Sequence, residues 1–444
     1  MKLTQALRIG DGEIVAFVGG GGKSTAMFRL AQEMVEAGGK VITTTTTRIF
    51  AAQIELAPVP FSTFEVNRAE LEAALEQRRH VLVTAPVNRE QGKASGVSLD
   101  LVRSLCAVPD VSAILIEADG SRMRPFKAPA AHEPVIPPET TLVVPVVGAD
   151  VFGEPLTDVR VHRPELVRAL TGAREGEPVT PELVARVLAH PQGGLKNIPP
   201  RARVLGLVNK VESDSQLAAA RETARLLLRE PRLAAVALGA AKQGAPVREV
   251  HGRVGAVVLA AGRSTRMGRP KQTLPWGETT IIGRVVSQLR AGGVDEIVVV
   301  TGDARAEVES ALLGSGARLA FNPDFASGDM ARSLQAGLRA LPENCSAALV
   351  VLGDQPQIQT EVVQAVVQRW RETLAPIVAP SLQMRRGHPM LFDRRAWPGL
   401  LALPAGATPR EYLRDAAIEY VEVQTDSILR DVDTPEDYER ELEK

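Results

Sequence analysis

Short β-branched apolar runs alternate along this chain with longer stretches of helical periodicity, and the rhythm starts twice. In the first half, Ile14-Val-Ala-Phe-Val18 leads into a glycine loop and then a helical pattern around Thr25–Ala37, which Gly38-Gly39 stops as a C-cap would. Val41-Ile42, Val81–Val83, Ala113–Ile116, Leu142–Val147 and Val204–Val208 have the unbroken apolar character of strands buried on both faces. From Ala240 to Arg253 the pattern turns polar and aperiodic, which predicts a domain boundary. The rhythm then restarts with a strand over 254–260 and a helix near 279–291 ended by Gly292-Gly293. Strands Glu296–Thr301 and Ala347–Leu352 and a helix over 358–372 follow. The fold class expected is α/β, with two doubly wound, mainly parallel-sheet domains over 1–245 and 254–444. The halves share an architecture but not their loop motifs, so no internal repeat is read.

Bulk properties narrow the function. At 444 residues the chain exceeds one core. A net charge of -1 with interspersed signs leaves no basic stripe, so no nucleic-acid partner is expected. Cys106 and Cys345 lie in separate halves, which excludes a disulfide framework or a zinc spacing. No apolar run approaches a membrane span, and the first residues lack the apolar core of a signal peptide. A cytoplasmic enzyme without a membrane partner is the expectation.

The strongest chemistry lies in the second half. Leu259-Ala260-Ala261-Gly262-Arg263-Ser264-Thr-Arg266-Met-Gly268-Arg-Pro-Lys271 comes straight off a strand, where open α/β sheets bind nucleotides. Gly262 and Gly268 allow close approach of phosphate, and Arg266 and Lys271 supply positive charge. Leu349-Val-Val-Leu-Gly-Asp354-Gln-Pro356 places a carboxylate just past a buried strand, suited to Mg²⁺ held jointly with substrate phosphates. Asp431 and Asp433 are two apart and would share a face of a strand. Thr434-Pro435 then reads as an N-cap with proline at the first helical position. Together these predict attack on an NTP α-phosphate with pyrophosphate leaving. Arg266, Lys271 and Asp354 are the catalytic candidates, and Asp354, Asp431 and Asp433 the metal candidates.

Residues 254–444 resemble the MobA-like nucleotidyltransferases, within them the molybdenum cofactor cytidylyltransferase (MocA-type) branch. The resemblance rests on the loop just described, on Asn322–Gly337, on Gly353-Asp354-Gln-Pro356, on Arg386-Gly387-His388-Pro389 and on Asp431–Asp437. It implies that Gly328 and Ser333 help to hold the nucleotide, and that Gly387, His388 and Pro389 face the pterin substrate. Ala261 stands where guanylyl-transferring relatives carry glycine, which favours CTP. The implied reaction joins CMP from CTP to molybdenum-molybdopterin, giving molybdopterin cytosine dinucleotide. A GTP-using enzyme or one with a sugar-phosphate acceptor is the alternative.

In the first half, Gly19-Gly20-Gly21-Gly22-Lys23-Ser24-Thr25 sits between a strand and a helix, the context of a P-loop. The first glycine of the usual spacing falls on Phe17, so the loop is a compact variant. Its amides are expected to form an anion nest for ATP or GTP, with Lys23 on phosphate and Ser24 or Thr25 on Mg²⁺. Glu117 and Asp119 end an apolar strand and suit a Walker-B metal role. Asn209-Lys210 is a weak base-reading signal. The run Thr43–Thr47 reads either as a strand or as a phosphate-binding loop, and His132 as a structural histidine. Residues 10–240 resemble the YqeC-like family of accessory proteins for selenium-dependent molybdenum hydroxylases, on 18–25, 43–48 and 116–134. The resemblance implies an apo-hydroxylase and an insertion chaperone as partners. The half is then either an NTPase or a nucleotide-gated docking module.

Overall fold

The computed structural model describes residues 1–50, 58–62, 67–88, 93–264 and 267–442. The chain divides into two compact units, Met1–His251 and Gly252–Lys444.

The first unit is built on β1 (Glu13–Gly19), α1 (Lys23–Glu36), β2 (Val41–Thr45), β3 (Pro60–Ser62), β4 (His80–Thr84), β5 (Ala113–Glu117), β6 (Leu142–Gly148), β7 (Arg203–Asn209), α2 (Asp214–Leu227) and β8 (Ala235–Gly239). The strands pair in the order β8-β7-β6-β1-β5-β2-β4-β3, every pairing parallel. Both faces are covered. Leu217, Ala220, Ala224 and Leu227 of α2 pack with Val204, Val208 and Val236, while Leu101, Val102 and Leu105 pack with Ile42, Val81 and Ile114. That double burial is why these strands read as continuous apolar runs. Gly38, at φ +89°, ends α1 in the left-handed region as expected of a C-cap.

The second unit contains β9 (Val247–Ala260, of which 252 onward lies in this unit), α3 (Ile281–Ala291), β10 (Glu296–Thr301), β11 (Arg318–Phe321), α4 (Met330–Ala340), β12 (Cys345–Leu352), α5 (Thr360–Thr373), β13 (Ile377–Leu382), β14 (Met390–Asp393), β15 (Ile418–Glu422) and α6 (Pro435–Leu442). Parallel pairings run β11-β10-β9-β12; β14 then joins antiparallel to β12, β13 antiparallel to β14, and β15 parallel to β13. Val257, Val298, Leu334, Val350, Phe392 and Trp397 form its main core. The expected α/β class with mainly parallel sheets is what the chain adopts.

Two local readings are refined and one is overturned. The division between the units falls inside the polar stretch 240–253, and from Val247 on that stretch is strand. Two buried polar groups of this stretch are paired: Arg221 Nε donates to Glu249 Oε2 at 3.0 Å, and His251 Nε2 lies 2.8 Å from the same oxygen. Burial would raise the Glu249 carboxyl, but these partners outweigh it and hold it well below the usual range. In the threonine run Thr43–Thr45 are strand and 46–47 a bend, and the hydroxyls of Thr43–Thr46 bond to the protein itself. Thr44 donates to Val83 O, Thr45 to Glu117 O, Thr46 to Val135 O, and Thr43 pairs with His80 Nε2. Finally, no strand forms at 431–433, so Asp431 and Asp433 do not share a strand face.

Candidate functional site

In the second unit the nucleotide loop leaves the carboxyl end of β9, and two neighbouring strand ends close on it. Gly353, following β12, donates its N–H to Leu259 O at 3.0 Å. A Cβ at Gly353 would stand 2.9 Å from that oxygen, so glycine is required for the turn after β12 to lie against the loop. Gly302, following β10, has Ala261 O at 2.6 Å from its would-be Cβ. Gly262 and Gly268 differ: no described atom lies within 4 Å of a Cβ there, and Gly268 takes φ +69°. Among the described residues nothing crowds their backbone. Ser264, itself at positive φ, accepts from Lys271 N at 3.2 Å and so folds the loop back on itself. Leu259 is half-buried, Ala260 and Ala261 are buried, and Gly262 and Arg263 are exposed. Arg266 lies outside the described residues.

The charged centre assembles residues far apart in sequence. Lys271 Nζ donates to Asp354 Oδ2 at 2.5 Å and to Asp433 Oδ1 at 2.7 Å. Burial pulls the Lys271 ammonium down, but the two carboxylates outweigh it and raise its pKa, so it stays charged. Asp354 Oδ1 is buried without a partner. The backbone laces the two acidic segments together, since Val432 N donates to Asp354 O at 3.0 Å. Asp431 turns elsewhere, accepting from Gln355 Nε2 at 2.6 Å. Burial raises the Asp431 carboxyl; the Gln355 bond and Lys271 oppose this, and the charges of Asp354 and Asp433 add to it. Among the described residues no group of three or more His, Cys, Asp or Glu is placed to hold one metal ion. Two carboxylates with one orphaned buried oxygen do fit a hard divalent cation that takes its remaining ligands from phosphates and water. Thr434 Oγ1 accepts from Asp437 N while Asp437 Oδ2 accepts from Thr434 N, a reciprocal cap that starts α6 right after Asp433.

Around this centre, Gly328 sits at φ +70° just before α4, and Asp329 caps that helix through Ala331 N. Ser333 Oγ accepts from the buried Asn322 Nδ2 at 3.0 Å. Gly387 packs on the backbone, with Ile428 O at 2.4 Å from a would-be Cβ, and His388 N donates to that same oxygen. Burial, with Arg386 and Arg410, pushes the His388 imidazole down to about 4, so it is neutral at physiological pH. Pro389 is buried and follows a cis peptide bond. Gln355 was not singled out from sequence; an amide beside a metal-type carboxylate carries no signal without its partner.

In the first unit the glycine loop is closed on the protein itself. Gly19 N donates to Asp119 Oδ1, Gly20 N to Val146 O and Gly21 N to Arg124 O, each at 2.9–3.0 Å. Three amides expected in the anion nest are therefore already used. Lys23, 3% exposed, donates to Gly19 O at 2.7 Å and lies 3.3 Å from Asp119 and 3.6 Å from Glu117. Despite burial, those carboxylates raise its pKa. Ser24 Oγ donates to Glu117 Oε2 at 2.6 Å, while Thr25 is half-exposed on the first turn of α1. Asp119 also meets Lys127 Nζ at 2.9 Å, and Lys127 reaches Glu133, which Arg163 engages in turn. The structure brings Ser24, Glu117 and Asp119 together as the sequence expects, with Lys23 and Lys127 paired to the two carboxylates in this arrangement. Lys127 and Arg163 were missed for the same reason as Gln355: each acts only through a partner the topology supplies. Asn209 braces the loop, its Nδ2 donating to Gly21 O and its Oδ1 accepting from Ala241 N, so both amide atoms are engaged. Lys210 pairs with Asp150 at 2.8 Å. His132 is largely exposed, 3.9 Å from Glu133. Among the described residues no helix is long and apolar enough to cross a membrane.

Similarity to known proteins follows the division into two units. The YqeC protein family matches residues 15–165, and the MobA-like NTP transferase domain matches residues 256–423. The YqeC protein of Escherichia coli is 32% identical over 204 residues, 44% of this chain and 75% of that protein. The molybdenum cofactor cytidylyltransferase of Escherichia coli is 27% identical over 184 residues, 41% of this chain and 92% of that protein. Among solved structures, the Rv0371c homologue from Mycobacterium sp. strain JC1 is 32% identical, covering 43% of this chain and 96% of its own, with a TM-score of 0.40. The chain belongs to the YqeC family through its first unit and carries a MobA-like NTP transferase domain in its second.

Proposed function

We propose that the second unit transfers CMP from CTP to the phosphate of molybdenum-molybdopterin, giving molybdopterin cytosine dinucleotide and pyrophosphate. The observation that carries this reading is the convergence of Lys271, Asp354 and Asp433 at the mouth of an open-backbone loop. Similarity to a molybdenum cofactor cytidylyltransferase supports the choice of substrates. The acceptor phosphate is already a nucleophile at neutral pH, so no general base is needed; positioning and charge neutralisation supply the catalysis. The open amides around Gly262 and Gly268 receive the triphosphate. Lys271 holds the two carboxylates together before substrate arrives and turns its positive charge to the phosphates once they enter. Asp354 and Asp433 would hold Mg²⁺, whose chemistry when bound is to neutralise the triphosphate oxygens. The acceptor's phosphate oxygen forms its bond to the α-phosphorus as the bond to the pyrophosphate oxygen breaks. Neutral His388 offers hydrogen bonds, not charge, to the pterin.

For the first unit the closed loop favours a docking module for an apo-hydroxylase over a free-running NTPase. Measuring pyrophosphate release with Mg²⁺, molybdenum-molybdopterin and CTP, GTP or ATP separately tests the main reading. Release with CTP, lost in Asp354→Asn, is expected; release with GTP instead, or no release with any of the three, overturns it.

A further inference from the structure

We infer that Gln355 is a positioning residue whose amide ties Asp431 back as a strut, so that Asp354 and Asp433, and not Asp431, face the phosphates. This rests on the reading of the second unit as a metal-assisted nucleotidyltransferase. The three acidic residues look equivalent in sequence, yet they are bonded differently. Asp354 and Asp433 both accept from Lys271, whereas Asp431 Oδ1 accepts from Gln355 Nε2 at 2.6 Å. Gln355 is 2% exposed, so its amide has no solvent to fall back on. It cannot turn over, because that would set Oε1 against the carboxylate of Asp431. Its Oε1 is left buried and without a partner, a loss accepted in order to keep the Nε2 bond.

The bond acts at a hinge point. Gln357 Nε2 donates to Arg430 O at 2.6 Å, and Val432 N donates to Asp354 O at 3.0 Å. The Gln355–Asp431 bond lies between these two, so the turn after β12 and the segment before α6 are laced at three successive levels. Of the three, only the middle bond fixes a carboxylate. Val432 is fully buried between Asp431 and Asp433, which anchors the backbone that carries both carboxylates. Freeing Asp431 would loosen the seat of Asp433 beside Asp354.

The test is Mn²⁺ binding to the full-length protein, followed by loss of the free-ion electron paramagnetic resonance signal, with Asp354→Asn as the reference for a lost ligand. Gln355→Met and Asp431→Ala are each expected to weaken Mn²⁺ binding by about tenfold, the scale of one charge-assisted hydrogen bond. The double variant should be no worse than either single one, since both remove the same bond. Asp431→Asn still accepts through Oδ1 and should stay within about threefold of the parent. Circular dichroism melts confirm that each variant is folded. Mn²⁺ affinity in Asp431→Asn as low as in Asp354→Asn, or unchanged in Gln355→Met, overturns the inference, because Asp431 would then be a ligand or the strut idle. A wrong choice of nucleotide or acceptor shows differently: the parent would bind Mn²⁺ but release no pyrophosphate from CTP.

Discussion

Replacing Gly21 by alanine separates two reasons for a glycine run, close phosphate approach and close protein packing. Gly21 has φ +79°, and a Cβ there would lie 2.0 Å from Gly148 N and 2.5 Å from Gly148 Cα. Both neighbours are backbone at the end of β6, so no side chain can swing away. The left-handed conformation alone costs an alanine about 1 kcal/mol. Forcing a methyl into a closed contact adds roughly 1–3 kcal/mol. Shifting the loop also endangers the Gly21 N–Arg124 O bond of 3.0 Å, about 1 kcal/mol more. The expected loss is therefore about 3–5 kcal/mol. Gly12 provides the control, with φ +70° but nothing within 4 Å of its would-be Cβ, so Gly12→Ala should lose only about 1 kcal/mol.

Hydrogen exchange read by mass spectrometry on peptides covering β1 and β6 measures these losses where they arise. The three tryptophans, Trp276, Trp370 and Trp397, all lie in the second unit and do not report on this loop. The reasoning fails if Gly21→Ala is no worse than Gly12→Ala. The loop would then stand away from β6 in solution, its amides released, and the nucleotide cradle expected from sequence would return.

Three further outcomes follow from the charged centres. Lys271→Met should reduce pyrophosphate release by at least a hundredfold, because Asp354 and Asp433 then face each other without their cation; activity within tenfold of the parent would exclude the proposed role. Glu133 would be raised by burial, but Arg163 and Lys127 hold it down to about 2, against an ordinary value of 4.5. That pairing stabilises the first unit by about 2–3 kcal/mol after screening, fully present above pH 4.5 and lost as pH falls toward 2. The stability gap between the parent and Glu133→Gln in urea titrations should narrow over that window, and a constant gap refutes the assignment. His388, pushed by burial to about 4 from 6.5, destabilises the second unit progressively as pH drops through that interval. Its neutrality also means that pyrophosphate release in the parent and in His388→Gln should show the same pH profile between 5.5 and 8; an inflection near 6.5 present only in the parent would show that the imidazole titrates.

The two glycine loops show what the sequence could and could not disclose. Each follows a strand and carries a lysine, and by pattern each promises a phosphate site. The strand and helix positions were legible because double burial writes itself as apolar runs, and glycines such as Gly38 end helices by a local rule. Lys271, Asp354 and Asp433 were legible as candidates too, since Asp354 stands just beyond a strand, Lys271 closes the loop that leaves one, and Asp433 precedes a helix start. What the residues do not state is which atoms fill the space beside a glycine. Around Gly262 and Gly268 no described atom fills that space, whereas around Gly19, Gly20 and Gly21 it holds Val146, Arg124 and Gly148. The same residue type thus serves ligand approach in one unit and backbone packing in the other. Only the partners decide, and those partners lie some 100 residues or more away along the chain. Lys127, Arg163 and Gln355 were hidden by the same gap, because a polar side chain read alone is a surface residue until the fold supplies the charge it answers. The dense internal satisfaction of the first loop, against the orphaned oxygens of the second site, argues that the second unit was shaped around a ligand it must receive and the first around contacts it already has.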